Sequence, residues 1–299
     1  MNKLIVILGP TGSGKSKLAV KLAKKFKGEI VSADSRQIYQ EMDIGTGKIT
    51  KAEMAGVKHY LLDIVRPDQD FSLADYKKRA LLAIKEIHQK NKLLFLVGGT
   101  GLYIQAVVDN LSIPKVAPDK RLRKKMENEL RTKGSRSLYI KLLKLDPLAK
   151  DIVDPKNPRR VIRALEVCLK TKEPFSGFYQ RGQPLFDFLL IGPKIDRQKL
   201  YQKIDRRVDQ MVKAGLVKEV EKLSKQYSRD LPAMSGIGYS EIGQYLRKQL
   251  SLEEALQKIK YRTHGYVRRQ MTWFRKDKRI KWVETRKEAG VLIGNFLKD

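Results

Sequence analysis

The segment GPTGSGKS at residues 9–16 fits the phosphate-binding pattern G-x-x-x-x-G-K-[ST]. It lies between an apolar stretch that predicts a strand and a stretch that predicts a helix, which is the setting this pattern requires. Its glycines let backbone N–H groups converge on a phosphate cluster, Lys15 adds a full positive charge, and the Ser16 hydroxyl can ligate Mg²⁺. We therefore predict a phosphate site formed by Gly9, Pro10, Thr11, Gly12, Ser13, Gly14, Lys15 and Ser16.

A second polar segment, SADSRQIY, directly follows the short apolar run EIV. This order predicts Asp34 at the carboxyl end of a strand, where ligands of open α/β sheets bind. Asp34 is a candidate general base, and Ser35 and Gln37 can hydrogen-bond the edge of a planar base. The alternative is an Asp that caps a loop or a helix.

A phosphate site alone does not identify the reaction, because kinases, nucleoside triphosphatases and transferases with a diphosphate leaving group all need one. In a P-loop hydrolase an apolar strand commonly ends in an Asp that helps to hold magnesium. The apolar run at residues 93–97 instead ends in VGGTGLY. This difference argues against a triphosphatase.

Composition favours a soluble protein with a polyanionic partner. The 63 Lys and Arg residues outnumber the 33 Asp and Glu residues, for a formal charge of +30. Nucleic acid is the leading partner, and a solvated Lys-rich surface is the alternative. Cys168 is the only cysteine, so no intramolecular disulfide forms, and neither a leader sequence nor a membrane-spanning run is apparent. We expect a cytoplasmic protein.

Short apolar runs alternate with amphipathic segments in the first third of the chain. Strands are predicted at LIVIL, EIVSA, HYLLDI and LLFLVGG, with helices beginning near Lys15 and Ser72. This alternation predicts an α/β fold, namely a P-loop NTPase-like parallel sheet core with helices on both faces. Its carboxyl edge should carry the polar segments described above.

Pro114 and Pro118 mark a change of character ahead of the charged segment KRLRKKMENELRTKG. We predict an inserted all-helical domain at residues 114–185 and a core made of residues 1–113 and 186–299. The run FDFLLIG returns the chain to the sheet, and the sequence beyond residue 196 is largely helical. There, Ser251 and Glu254 form a capping box before a long helix that Gly265 is positioned to interrupt.

These segments together resemble the bacterial tRNA dimethylallyltransferases, or tRNA isopentenyltransferases, of the IPP transferase family. The resemblance extends over nearly the whole chain, with its motifs in family order. Departures are Gly12 and Ser16 in place of the commoner Ala and Thr, and His264 where Arg is usual. The matching segments are GPTGSGKS, DSRQIYQEMDIGTGK, HYLLDI, LVGGTGLYIQA, NPRRVIRALEV, RRVDQMVKAGLVKEV, SGIGYSEI and RRQMTWFR.

The resemblance implies transfer of a dimethylallyl group from its diphosphate to N6 of the adenosine 3′-adjacent to the tRNA anticodon. The P-loop then holds a diphosphate leaving group rather than ATP. Asp34 accepts the proton of the attacking amine, while Lys15, Mg²⁺ on Ser16 and Arg207 stabilise the charge that grows on diphosphate. Arg207 lies beside the apolar stripe of a predicted helix, and its neighbour Arg206 could exchange roles with it.

The resemblance also implies a monomer that binds the anticodon stem-loop of tRNA, with the target adenine taken out of its stack. Trp273 and Phe274 are expected to anchor a helix rather than to stack on bases. The predicted tRNA-binding residues are Asp34, Ser35, Arg36, Gln37, Thr100, Arg123, Arg159, Arg160, Val161, Ile162, Arg163, Arg268, Arg269, Gln270, Trp273 and Arg275.

Three other functions stay open at this point. An adenylate isopentenyltransferase shares the P-loop and the base chemistry but prenylates a free nucleotide, which needs no large basic surface. A nucleotide kinase or RNA-stimulated NTPase would bind ATP at the same loop. A non-catalytic RNA-binding protein could keep the P-loop without using it.

Overall fold

A computed structural model describes residues 2–114, 116–179 and 182–298. The chain forms two compact units, one made of Met1–Val108 and Leu185–Asp299 and the other of Asp109–Pro184. The inserted unit therefore begins at Asp109 and ends at Pro184, where the sequence predicted 114 and 185. Among the described residues, the helices all lack the length and apolarity needed to cross a membrane.

The first unit contains a six-stranded sheet in the order β3-β2-β4-β1-β5-β6, with every neighbouring pair parallel. This confirms the predicted α/β class. The central strands β1 and β4 are apolar and buried, because helices cover both of their faces. The strands are β1 (Lys3–Leu8), β2 (Gly28–Ala33), β3 (His59–Tyr60), β4 (Leu93–Gly98), β5 (Asp187–Pro193) and β6 (Lys281–Val283).

Helices account for most of the remaining chain. Gly134 has non-helical torsions and kinks the fifth helix. The helices are α1 (Lys15–Lys25), α2 (Lys51–Met54), α3 (Leu73–Gln89), α4 (Gly101–Val108), α5 (Lys120–Leu145), α6 (Pro158–Thr171), α7 (Arg197–Lys213), α8 (Leu216–Gln226), α9 (Tyr239–Leu246), α10 (Leu252–Phe274) and α11 (Arg286–Lys298).

Alternate residues of β1 point to two separate apolar layers. Leu4 and Val6 belong to the layer that contains α3 and α4, whereas Ile5 and Ile7 belong to the layer that contains α1 and α11. Successive side chains of a strand point to opposite faces, so both faces of the sheet are covered by helices. The carboxyl ends of the strands are left to bind ligands.

Several local predictions are confirmed and others are wrong. Ser251 caps α10 with the capping box that the sequence predicted, and the helix predicted to begin near Ser72 starts there, with a capping box that was not predicted. The predicted strand HYLLDI is reduced to two residues, because Leu61 and Asp63 adopt positive φ angles of 62° and 54°. Gly265 does not interrupt α10, and β6 was not predicted at all.

The second unit is built on α5 and α6. The apolar face of α6 packs against Leu138 and Leu142 of α5, and it includes the buried Cys168. The unit also contains two short 3-10 helices, at Pro147–Asp151 and Phe175–Tyr179. Its core is all-helical, and the sole cysteine has the structural environment that the sequence predicted.

Candidate active site

The P-loop connects β1 to α1 at the carboxyl edge of the sheet. Gly14 precedes the first turn of α1 with a φ of 83°, a left-handed conformation that favours glycine. Among the described residues, the Ser13 hydroxyl is buried without a hydrogen-bond partner. The backbone N–H groups at the start of α1 and this hydroxyl are donors suited to an anion with several oxygens, such as a phosphate.

Lys15 supplies the positive charge at this loop. Its ammonium donates a hydrogen bond to the carbonyl oxygen of Pro10 at 3.3 Å. Burial lowers the pKa of Lys15 to about 8; Asp34 opposes this shift and Arg207 adds to it. Lys15, Asp34 and Arg207 are therefore close enough to interact electrostatically.

Asp34 follows β2 directly, as predicted. One carboxylate oxygen, Oδ1, accepts hydrogen bonds from the backbone N–H of Arg36 at 2.8 Å and of Gln37 at 3.3 Å. The side chain therefore caps the turn, which was the alternative role, and the same carboxylate lies near Lys15 and Arg207. The capping contacts fix the position of a carboxylate that interacts electrostatically with two cations.

Arg207 projects from α7 and is partly buried, whereas its neighbour Arg206 is exposed. The guanidinium of Arg207 donates to the carbonyl oxygen of Gly47 at 3.0 Å, and the Gln37 amide donates to the same oxygen at 3.1 Å. Burial lowers the pKa of Arg207, while Asp34 and Glu53 raise it. Of the two adjacent arginines, Arg207 is the one that lies at the site.

Thr100 links the turn after β2 to the turn after β4. Its hydroxyl oxygen accepts a hydrogen bond from the Ser35 N–H at 3.0 Å, and its own N–H donates to the Ala33 carbonyl at 3.1 Å. Tyr266 of α10 also interacts with Thr100, and burial raises the pKa of Tyr266 to about 12. Tyr266 was missed at the sequence level, although it lies one helical turn before Gln270.

The side chain of Gln270 is buried and connects two turns of the site. Its amide oxygen accepts from the Thr11 N–H at 3.0 Å, and its amide nitrogen donates to the Gly99 carbonyl at 2.8 Å. The residue is only 6% exposed. The side chain therefore holds the P-loop against the turn after β4, and its contact with tRNA stays a prediction.

Comparison with known proteins identifies this arrangement. The IPP transferase family model matches residues 37–277. The tRNA dimethylallyltransferase of Acetivibrio thermocellus is 48% identical over 287 residues, covering 95% of this chain and 92% of that protein. The chain belongs to the IPP transferase family. Its members are transferases, so the chain is an enzyme of that class.

Solved structures of the family share the fold. The tRNA isopentenylpyrophosphate transferase of Bacillus halodurans superposes with a TM-score of 0.75 at 40% identity, covering 100% of this chain and 97% of that one. A eukaryotic dimethylallyltransferase acting on tRNA gives a TM-score of 0.76 at 31% identity, covering 91% of this chain and 70% of that one. The family resemblance therefore holds for the fold as well as for the motifs.

The predicted basic residues of α10 are exposed. Arg268 and Arg269, together with Trp273, line a surface groove of about 350 Å³, and Arg275 at the end of the helix is exposed as well. Trp273 is 37% exposed and lies beside Gly101, whereas Phe274 is buried in the core. The expectation that both aromatics anchor the helix is therefore wrong for Trp273 and confirmed for Phe274.

His264 lies on the side of α10 that faces α7. Its ring stacks on Tyr201 with a centroid separation of 4.0 Å and an interplanar angle of 8°. Its Nε2 atom lies 2.8 Å from a carboxylate oxygen of Asp205. The position thus contacts an acidic residue of α7 in this chain.

In the second unit, two of the residues predicted to contact tRNA have side chains buried in the core. Val161 and Ile162 are 0% and 6% exposed, because they form the apolar face of α6. A polynucleotide on the surface of this unit cannot contact side chains inside its core. Arg159 is exposed and Arg160 is partly exposed on the same helix.

Arg123 and Arg163 are engaged with a buried carboxylate. The guanidinium of Arg123 makes two hydrogen bonds to Glu166, at 2.9 and 2.8 Å, and Arg163 makes a third at 2.5 Å. Burial alone would raise the pKa of Glu166, but Arg123, the Asp119 N–H and Arg163 outweigh it and hold the pKa below its usual value. These arginines neutralise a core carboxylate, whatever else their remaining N–H groups contact.

Proposed function

We propose that this chain transfers a dimethylallyl group from dimethylallyl diphosphate to N6 of the adenosine 3′-adjacent to the anticodon of tRNA, releasing diphosphate. The proposal is carried by the electrostatic interaction of the Asp34 carboxylate with both Lys15 and Arg207, at the edge of the sheet where the P-loop lies. A leaving diphosphate needs the two cations, and the attacking amine needs the carboxylate. Family membership supports the same chemistry.

The reaction needs a base because the N6 lone pair of adenine is delocalised into the ring. As N6 bonds to C1 of the allyl group, the C1–O bond breaks and its electron pair leaves with diphosphate. Asp34 accepts the N6 proton, and Lys15 and Arg207 neutralise the charge that grows on the leaving oxygen. Ser13 and the N–H groups at the start of α1 hold the phosphates in place.

Mg²⁺ fits this site as an ion carried with diphosphate. No group of three or more His, Cys, Asp or Glu side chains in the described part of the chain is arranged to hold a metal. Mg²⁺ commonly binds through substrate phosphates, waters and one or two protein oxygens, and Ser16 in the exposed first turn of α1 can supply a hydroxyl. The ion would help to neutralise the diphosphate.

The tRNA contacts that we propose are the exposed basic side chains. Arg268 and Arg269 on α10 and Arg275 at its end present exposed guanidiniums, beside the partly exposed Trp273. Guanidiniums bind phosphates and stack on bases, and an indole stacks on an unpaired base. We expect the extruded adenosine to contact Thr100 and Ser35, which are hydrogen-bonded to each other in the turns next to Asp34.

The deciding experiment incubates the protein with unmodified tRNA, Mg²⁺ and dimethylallyl diphosphate, followed by mass analysis of the nucleosides. We expect N6-isopentenyladenosine, and none in a tRNA with guanosine at the target position. Turnover of AMP but not of tRNA would instead establish the free-nucleotide enzyme. Phosphate release or transfer from ATP, without use of the prenyl donor, would establish a kinase or NTPase. Binding of tRNA without turnover of any donor would establish a non-catalytic RNA-binding protein.

A further inference from the structure

The loop at residues 43–48, which follows the Asp34 turn, is held by one carboxylate of α8. Glu219 accepts three hydrogen bonds from consecutive backbone N–H groups: Asp43 at 3.0 Å, Ile44 at 2.7 Å and Gly45 at 3.0 Å. Hydrogen bonds to an ionised acceptor are stronger than those between neutral groups. Glu219 therefore fixes the backbone of the first half of this loop.

Tyr239 of α9 supports the same carboxylate. Its hydroxyl donates to Glu219 at 2.6 Å, and the residue is buried. Its ring packs so closely on the loop that a Cβ atom on Gly45 would lie 2.6 Å from it. The carboxylate is thus held in place by a second element, and the loop has no room to shift toward α9.

The second half of the loop is fixed by Lys48. Its ammonium donates to the Tyr39 carbonyl at 2.7 Å and to the Asp43 carboxylate at 2.6 Å, and it pairs closely with Asp63 as well. The Lys48 N–H also donates to the Asp43 carbonyl at 2.9 Å. Both halves of the loop are therefore tied to the surrounding structure.

What this loop presents to the site is the carbonyl oxygen of Gly47. Arg207 and Gln37 both donate to it. Gly47 has a φ of 56°, and a Cβ atom here would lie 1.6 Å from Nη2 of Arg207. The guanidinium is therefore seated against the loop, and its position follows the position of this carbonyl.

We infer that Glu219 is a positioning residue for Arg207: by holding the N–H groups of residues 43–45 it sets the Gly47 carbonyl on which the guanidinium is oriented. The inference rests on the proposed function, in which Arg207 stabilises the leaving diphosphate. A displacement of about 1 Å in a catalytic group can lower a rate by about a hundredfold. Glu219→Gln replaces one carboxylate oxygen by an NH₂ group, which cannot accept a hydrogen bond from the N–H groups of residues 43–45. The loop is therefore displaced.

The test is a double-mutant cycle with inorganic diphosphate and Mg²⁺ as the probe, measured by calorimetry on the full chain. We expect Glu219→Gln to weaken diphosphate binding about tenfold in the parent protein, within the range found for coupled residues, and less than about twofold when Arg207→Gln is already present. Equal losses in both backgrounds would overturn the inference. Glu221→Gln is the matched control, because Glu221 lies on the same helix and pairs only with Lys225 among the contacts described for it.

Tyr239→Phe provides a second cycle should Glu219→Gln fail to fold. It keeps the buried ring and removes one hydrogen-bond donor from Glu219. We therefore expect diphosphate binding to weaken about threefold in the parent protein, and this loss to disappear when Arg207→Gln is already present. The binding assay needs no prenyl transfer. Failure of the proposed function would appear as a parent protein that binds diphosphate but makes no prenylated adenosine, whereas failure of this inference would appear as additive losses.

Discussion

Asp34→Asn removes the proton acceptor while keeping the turn that positions it. The turn depends on Oδ1, which accepts from the N–H groups of Arg36 and Gln37, and an amide oxygen can accept the same two hydrogen bonds. A general base contributes about 10²–10⁴ in rate. We therefore expect the single-turnover rate to fall at least a hundredfold, which is about 2.7 kcal/mol of barrier.

The same substitution changes the titration of Lys15 in a direction that can be measured. Asp34 raises the pKa of Lys15, which burial has lowered to about 8. Without the carboxylate this pKa falls further, so Lys15 loses its charge at lower pH. The high-pH decline of kcat/KM for the prenyl donor should therefore move to lower pH in Asp34→Asn, because kcat/KM reports the pKa values of the free enzyme.

The assay is single-turnover prenyl transfer at saturating donor and tRNA, which separates chemistry from binding and product release. Affinity for tRNA, measured separately, should stay within about threefold of the parent, because a loss of chemistry leaves the phosphate contacts in place. Asp34→Ala is the comparison variant: it also loses the cap, typically worth about 1 kcal/mol, and so should melt earlier. A single-turnover rate near that of the parent, or a decline explained entirely by weaker tRNA binding, would refute the assignment.

Three further predictions concern the anion sites. In the parent protein, kcat/KM for the prenyl donor should decline above about pH 8 as Lys15 deprotonates. Lys15→Arg should remove that decline, because a guanidinium stays charged throughout this pH range. Gly47→Ala should lower kcat/KM for the donor at least tenfold by displacing Arg207, whereas Gly56→Ala, with a φ of 82° and open space around it, imposes backbone strain without that loss. Affinity for the anticodon stem-loop should fall several-fold for each doubling of salt in a filter-binding titration, since each contacted phosphate adds about 0.7–0.9 to the slope; a flat response would contradict the role given to the exposed arginines.

The sheet core could be predicted because each element has a strong local pattern. Nearly all side chains of β1 and β4 are apolar, so neither face of these strands is suited to water. The two strands are therefore expected to lie between two layers of helices. The start of α10 could be predicted because a capping box requires a particular pair of residues three positions apart, here Ser251 and Glu254. Asp34 could be placed because strand ends in a parallel sheet meet at one edge.

The sequence was least informative where a residue type suits two environments. The segment NPRRVIRALEV predicts a basic contact surface, but Val161 and Ile162 lie on the buried side of the same helix, and Arg163 pairs with the buried Glu166. A glutamate within an apolar stripe was the available signal, because a buried carboxylate needs cationic partners. Similarly, the position of Gln270 one turn after Tyr266 placed both on one face of α10, but the sequence does not say which loop that face touches.

The contacts that position the site are mostly made to backbone atoms, which explains why the sequence does not reveal them. Glu219 binds the N–H groups of residues 43–45, Gln270 binds the Thr11 N–H and the Gly99 carbonyl, and Arg207 binds the Gly47 carbonyl. Nearly every residue offers the same N–H and C=O groups, so such a contact restricts only one partner. Gly47 is the exception, because the guanidinium occupies the place of its missing side chain. A glycine with positive φ beside a site therefore indicates a close backbone contact, even where its partner lies far away in the sequence.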